Sequence, residues 1–447
     1  MDARWDGIEG RLEKLVARGD AAPAEDGWRV RGHTTCAAGS LADTGRGLAV
    51  KQVRFDIPFS WPPSQGPGPG TVSVRGIRFR DRDLGGLDGR VVWKKDRVEM
   101  QAAVDNSVLP AVKTRVRLEA PFAAVPPTVR LNMTGERDPS AGPVRLERLL
   151  PALSGFEISG GLRINVDGML TGKGISARAS AELTDGSVAA ADRRIYLNGL
   201  SAGIEMPLLP ALSSAASQHV RVSEIKAGDL VFSDADLQFR LDPAGTLFVE
   251  QAVVAWCGGR VQTQSFEIVP GREDYAVTLF CDRLKISEMM GQLGVGQAET
   301  GGVVNGRIPL RLKNGRISFQ DGFLYTTPGL SGQIRLESEK LLPEGLPMDT
   351  PQFAQLDLTQ EALKDYQYDW IRLRLNTEGE MLTLKMETDG KPAKPLPFVY
   401  DRSFGGFARV TAEHPGSRFQ GISLDVNFML PVNDILHYGG AVKRMME

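Results

Sequence analysis

Apolar and polar residues alternate one for one through much of this 447-residue chain. Val112, Thr114, Val116 and Leu118 interleave with Lys113, Arg115, Arg117 and Glu119. Ile308, Leu310 and Leu312 interleave with Arg307, Pro309 and Arg311, and Ile371, Leu373 and Leu375 with Arg372, Arg374 and Asn376. Leu382, Leu384 and Met386 alternate with Thr383, Lys385 and Glu387. The longest case sets Ile422, Leu424, Val426, Phe428 and Leu430 against Ser423, Asp425, Asn427 and Met429. Successive side chains of a strand point to opposite faces, so each segment carries one apolar and one wet face. Strands of this kind belong in antiparallel sheets, because parallel strands buried on both faces read as continuous apolar runs. About 20 such strands are expected, punctuated by Gly, Asp, Asn and Pro turns.

Composition agrees. The 50 glycines and 27 prolines act as punctuation, and 42% apolar residues with a net charge of -2 disfavour disorder. Balanced charge gives no global reason to bind nucleic acid. Three cysteines cannot build a disulfide scaffold; Cys257 and Cys281 lie on strands expected to be close, so a disulfide stays open beside the preferred reading of two buried thiols. Helices are expected to be few: Val144 to Leu153, Ser287 to Leu293, Thr359 to Tyr366 with Thr359 as cap, and Asn433 to Tyr438. Near the start Trp5, Ile8, Leu12, Leu15 and Val16 recur at three and four residues, which predicts a short amphipathic helix. The uncharged run Ile57 to Val74, with five prolines and three glycines, reads as a stiff linker or turn-rich loop. No stretch has the roughly 20 apolar residues of a membrane span, and no basic start precedes an apolar run as in a signal peptide.

Catalytic signals are weak. Gly199-Leu200-Ser201-Ala202-Gly203 fits the nucleophile elbow G-x-S-x-G, but Pro207 and Pro210 forbid the helix that the elbow needs. His33 and Cys36 leave two tetrahedral zinc positions unfilled. Asp81, Asp83 and Asp88 fail the calcium-loop pattern at Gly85. Gly66, Gly68 and Gly70 open no helix, so they form no phosphate loop. Glu361 and Asp365 read as a solvated helix face. No catalytic residue, metal or cofactor is therefore assigned.

The second half resembles a known family. Ile225 to Val261 gives a strand, a turn, a second strand and a Gly-Gly-Arg step. A short helix over Ile286 to Leu293 follows, then Gly-Gly and NGRIPLRLKNGRISFQDGFLYTTPG. LTQEALKDYQYDWIRLRLNTEGEMLTLKMETDG and QGISLDVNFMLPVNDIL complete the order. This order is similar to the C-terminal domain of the YdbH-type proteins of the AsmA-like superfamily, over about Val220 to Tyr438. The resemblance implies a mainly β fold: an elongated, curled antiparallel β-sheet groove with a few short helices. The expected parts are an N-terminal helix and linker over 1–65, an AsmA-like β groove segment over 71–285 and a YdbH-like C-terminal β domain over 286–447.

The implied function is bridge-like transfer of phospholipid between inner and outer membranes of a Gram-negative envelope, with acyl chains on the apolar face and no catalysis. The candidate lining is Ile308, Leu310, Leu312, Ile317, Phe319, Ile371, Leu373, Leu375, Leu382, Leu384, Met386, Ile422, Leu424, Val426, Phe428 and Leu430. The expected location is the periplasm, membrane-associated, with the family's anchor lying outside this chain. A small lipoprotein adding a strand at the C-terminal sheet edge is a further expected partner. The rival readings are a structural or adhesive β-sandwich with closed cores and a hydrolase built on Ser201.

Overall fold

A computed structural model describes all residues except 1, 6–7, 25–26, 44–46, 62–67, 80–81, 108, 110, 149–153, 172–173, 191–193, 244, 294–296, 300–301, 315, 338–349, 380, 404, 412–413, 415–416, 418, 420 and 431–447. Among the described residues there are 30 strands, two α-helices and one 3-10 turn. A single sheet takes in 28 of the strands, and Phe398–Asp401 with Gly406–Arg409 forms a separate pair. The chain meanders, each strand pairing antiparallel with near neighbours in sequence. The sheet does not close into a barrel: Asp2–Trp5 pairs with Ile8–Ala24 and Ile422–Leu430 with Met381–Pro392. This is the mainly β, antiparallel class that the alternation predicts.

Two compact units divide the residues. One comprises Met1–Val188, Gly199–Val220 and Arg240–Thr246; the other comprises Ala189–Asn198, Arg221–Phe239 and Leu247–Glu447. The clustered core belongs to the second unit and runs from Cys257 to Leu424. It is built from sheet residues such as Leu284, Val304, Leu324, Ile371 and Met386, together with Ile286, Met289 and Met290 of helix Ile286–Gln292 and Leu358, Ala362 and Leu363 of helix Pro351–Leu363.

The expected N-terminal helix is overturned. Residues Ile8–Ala24 form a strand that pairs with Gly27–Asp43, from Ile8↔Asp43 to Ala24↔Gly27. A spacing of three and four over so few apolar residues is a weak preference, and a full-length antiparallel partner outweighs it. The expected linker is in part strand. Ile57 to Trp61 ends the strand Arg54–Trp61, Pro69 starts Pro69–Phe79, and the two strands pair through Asp56↔Thr71.

The helix expected at Ser287 is found as Ile286–Gln292. The one expected at Thr359 begins eight residues earlier. Thr350 is its cap, its Oγ1 accepting from the Phe353 N–H at 3.2 Å, and Pro351 holds the first helical position. Thr359 instead donates back to the Gln355 carbonyl at 2.8 Å, and Tyr366 already opens the strand Tyr366–Glu378. Of Val144 to Leu153, the described part is a two-residue strand and the 3-10 turn Leu146–Arg148. Asn433 to Tyr438 lies outside the described residues.

The two kinds of apolar position call for different costs of truncation. Leu373, 3% exposed in the core, is expected to lose about 2–5 kcal/mol on Leu373→Ala. Val116, only half-buried, is expected to lose clearly less on Val116→Ala. Urea denaturation midpoints at constant slope measure both, and equal losses would mean that the two positions are equally enclosed.

Candidate functional site

The registers of the first unit assemble one apolar row across nine strands. Leu15 lies opposite Cys36, Cys36 opposite Phe55, and Phe55 opposite Val72. Val72 faces Gly89, Gly89 faces Ala102, and Ala102 faces Val116. Val116 then faces Met133, and Met133 faces Val166. Two residues along each strand runs a parallel row, Val91, Met100, Leu118 and Leu131. The rows lie on one face because side chains of a strand repeat every second residue. Gly89 is small by necessity: a Cβ there would lie 2.8 Å from the Ala102 Cβ and 3.2 Å from Val72 Cγ1.

These rows are only partly covered. Cys36, Val91 and Ala102 are buried, whereas Phe55, Val72, Met100, Val116, Leu118, Leu131, Met133 and Val166 are half-buried. The clustered core contains none of them. A broad apolar face with accessible methyl groups gains free energy from any apolar partner laid on it, at about 25 cal/mol per Å² removed from water.

The sequence-predicted lining of the second unit is also brought onto one face. Leu324 faces Leu373, Leu373 faces Met386, and Met386 faces Val426. Leu375 faces Leu384, which pairs with Phe428, and Leu310 faces Phe319. Burial separates these positions into two sets. Ile308, Ile371, Leu373, Leu375, Leu382, Leu384, Met386 and Leu424 are buried in the core, while Leu310, Leu312, Ile317, Phe319, Ile422 and Val426 are half-buried. The side chains of Phe428 and Leu430 lie outside the described residues.

The rows of the first unit were missed as lining. The alternation Val112 to Leu118 marks one of their strands, but only the cross-strand register shows that eight more continue it.

The opposite face of the first unit is polar. On it Glu99, nearly buried, is directly opposite Glu119, a like-charge juxtaposition that is unfavourable unless bridged. Arg117 bridges it, with Nε 2.9 Å from Glu119 and a guanidinium nitrogen 3.6 Å from Glu99. Lys94 and Arg97 each approach Glu99 at 2.7 Å. Their hydrogen bonds, Lys94 first, hold the Glu99 carboxyl below its ordinary range.

Other candidates lack the required geometry. Ser201 lies inside the strand Ile195–Leu209, without the turn into a helix that an elbow requires. His33 and Cys36 are three apart in one strand and so point to opposite faces; His33 Nδ1 is 3.1 Å from Asp56, and Cys36 Sγ is 3.3 Å from the Ala38 carbonyl. Asp83 accepts from the Gly85 N–H at 2.9 Å, Asp88 pairs with Arg75, and Asp81 lies outside the described residues. Gly70 belongs to the strand Pro69–Phe79. Glu361 pairs with Lys364 and Arg409, and Asp365 with Arg335 and Lys394. Cys257 and Cys281 are buried free thiols, and burial pushes each up to about 12, with Glu288 adding to the effect at Cys257.

Comparison with known proteins gives one match. The model of the YdbH-like family, described as intermembrane phospholipid transport protein YdbH, matches residues 59–384. That interval takes in the paired rows from Val72 to Val166 and much of the core. No curated protein and no solved structure matches the chain.

Two titrations test the electrostatics. The depressed Glu99 group gives stability that is present above the unfolded carboxyl range and is lost as pH falls through the folded value. Glu99→Gln is therefore expected to lower the melting temperature at pH 7 and to flatten its decline in acid. For the thiols the sign is opposite. They ionise near 9.0 when unfolded and near 12 when folded, so the unfolded state holds fewer protons between those values and stability falls as pH rises there. At pH 8 a thiol-reactive dye is expected to spare Cys257 and Cys281 in the folded protein and to label both in urea.

Proposed function

The chain belongs to the YdbH-like family of intermembrane phospholipid transport proteins, and on that footing we propose that it holds phospholipid by the acyl chains on its apolar sheet face. The half-buried rows from Phe55 to Val166 support this reading most directly. They offer an apolar surface many strands wide, and each acyl methylene covered contributes about 0.8 kcal/mol. Transfer then needs no bond making, and the head group stays in water. In the second unit Leu310, Leu312, Ile317, Phe319, Ile422 and Val426 are the proposed lipid contacts. Their buried neighbours, Leu373 and Met386 among them, stiffen the face from within the core.

The proposed setting is the bacterial envelope, with lipid passing between inner and outer membranes. The strand Ile422–Leu430 pairs with Met381–Pro392 along one side, and a small lipoprotein adding a strand along its other side is the proposed partner. One observation favours a different reading for part of the chain: the enclosed cluster from Cys257 to Leu424 has the packing of a closed β core. The half-buried rows distinguish the two readings, because a closed core would cover them as it covers Ile371 and Leu373.

Photo-crosslinking from Val116, Met133 and Leu312 separates these alternatives. With the full chain purified from membranes containing labelled phospholipid, all three positions are expected to capture acyl chains, and Leu373 is expected to capture none. Val116→Asp is expected to reduce co-purified lipid severalfold. Failure of all three positions in folded protein would remove the proposed function.

A further inference from the structure

The strands that carry the rows are hollowed, and the lining of the larger hollow includes Phe55, Val72, Ala102 and Val116 of the apolar row beside its arginines. One cavity of about 910 Å³ has Arg54, Arg90, Arg115 and Arg117 in its lining, and a second of about 590 Å³ has Arg117, Arg130 and Arg178. The two share Arg117 and Asn132. Register places Arg54, Arg90, Arg115 and Arg117 on one face: Arg54 is opposite Ser73, Ser73 opposite Asp88, Asp88 opposite Ala103, and Ala103 opposite Arg115. Arg90 is opposite Gln101, and Gln101 opposite Arg117.

The carboxylates lining these hollows are already engaged. Asp56 is 3.1 Å from His33, Asp88 is 2.9 Å from Arg75, Glu119 is 2.9 Å from Arg117, and Asp167 accepts from Asn132 at 2.8 Å. Among the described residues no carboxylate lies within 4.0 Å of the guanidinium of Arg54, Arg90, Arg115, Arg130 or Arg178. Other arginines of these strands, Arg75 and Arg97, are paired. A chain with a net charge of -2 thus gathers five uncommitted guanidiniums in two adjoining concavities. Arginines outnumber carboxylates in both linings, four to two and three to two, and a guanidinium fork matches phosphate oxygens bidentately.

We propose that this arginine-lined hollow is a binding site for phosphate groups, with Arg90 and Arg115 as its principal contacts. Arg90 and Arg117, two strands apart on one row, are about 10 Å from each other, so the track suits phosphates presented in series better than a single ion. By strand alternation the side chains of Arg90 and Arg115 point away from those of Val91 and Val116, so the phosphate contacts are distinct from the acyl contacts proposed above. A phospholipid head group and a soluble phosphate share the chemistry, and binding measurements tell them apart.

The full chain is tested for binding to inorganic pyrophosphate by calorimetry. Flotation then tests binding to vesicles of phosphatidylcholine with and without phosphatidylglycerol. Arg90→Gln with Arg115→Gln is expected to weaken binding by about tenfold or more, and added salt is expected to weaken wild-type binding. Arg194→Gln with Arg221→Gln is the charge-matched control, since both arginines are exposed and paired, with Asp229 at 2.9 Å and Asp236 at 3.5 Å; its affinity is expected to equal wild type. Arg90→Lys with Arg115→Lys keeps the charge and is expected to fall between, and it supplies the comparison should the glutamine pair fold poorly. Gain of binding with phosphatidylglycerol alone supports the proposal with a head group as ligand, and pyrophosphate binding alone supports it with a soluble phosphate. Absence of binding to both probes, or wild-type affinity in the glutamine pair, overturns it.

Discussion

Everything in this sheet depends on cross-strand register. A slip of one residue between two strands turns every side chain of one of them to the opposite face. In the first unit that slip would put Arg115 and Arg117 among Val72, Ala102 and Met133, and would put Val116 and Leu118 among the arginines. The cost falls on both faces together, since charges would lose water on one side and methyl groups would meet it on the other. Pairing such as Arg117 between Glu99 and Glu119 therefore does more than offset like charges. It ties neighbouring strands in the alignment that keeps the apolar rows unbroken.

The same alternation leads to two packing outcomes. From Cys257 to Leu424 the apolar face is enclosed, with Met289, Met290, Leu358 and Leu363 supplied by two short helices. From Phe55 to Val166 most of the face stays half-buried, with Val91 and Ala102 buried within it. Conformational entropy has to be offset by burial, and the enclosed cluster supplies that burial within the second unit. A protein that keeps one apolar face accessible needs enclosed packing elsewhere, because an uncovered face contributes less to its own stability. Partial exposure over so many strands is also an association hazard, which an acyl-chain partner would relieve.

The alternation made most of the fold legible. Segments such as Ile371 to Leu375 and Leu382 to Met386 read as strands because one periodicity decides both backbone state and face. The N-terminal stretch did not read this way, since its deciding partner, Gly27–Asp43, is invisible to local periodicity. The helix at Pro351 carried a legible start in Thr350 and Pro351, a cap followed by proline at the first helical position, yet Thr359 offered a competing signal inside it. The extent of burial was beyond the sequence for a different reason. Periodicity says which residues share a face, but whether that face is covered depends on helices and strands distant in the chain. That is why Leu373 and Leu312, alike in pattern, differ in enclosure.

The evenness of the rows has a kinetic consequence. A binding step of 1.4 kcal/mol changes occupancy tenfold, and fully burying one extra large aliphatic side chain is worth about 1.5–3 kcal/mol. A single deep pocket on the face would therefore hold a lipid at that point for a time tens of times longer than at its neighbours. On the proposed reading the rows have to avoid such a step. Val72, Val116, Met133 and Val166 are half-buried aliphatic or thioether side chains, and Gly89 leaves no gap between Val72 and Ala102, since a Cβ there would already lie 2.8 Å from the Ala102 Cβ. A face built to retain one ligand would concentrate its contacts in a few positions. Here the half-buried contacts are spread over successive strands, so on the proposed reading a bound chain would advance by about 4.8 Å from strand to strand while losing and regaining apolar area. On that reading the want of a conspicuous site motif in the sequence follows as well, because a surface along which a ligand moves gains nothing from one exceptional residue.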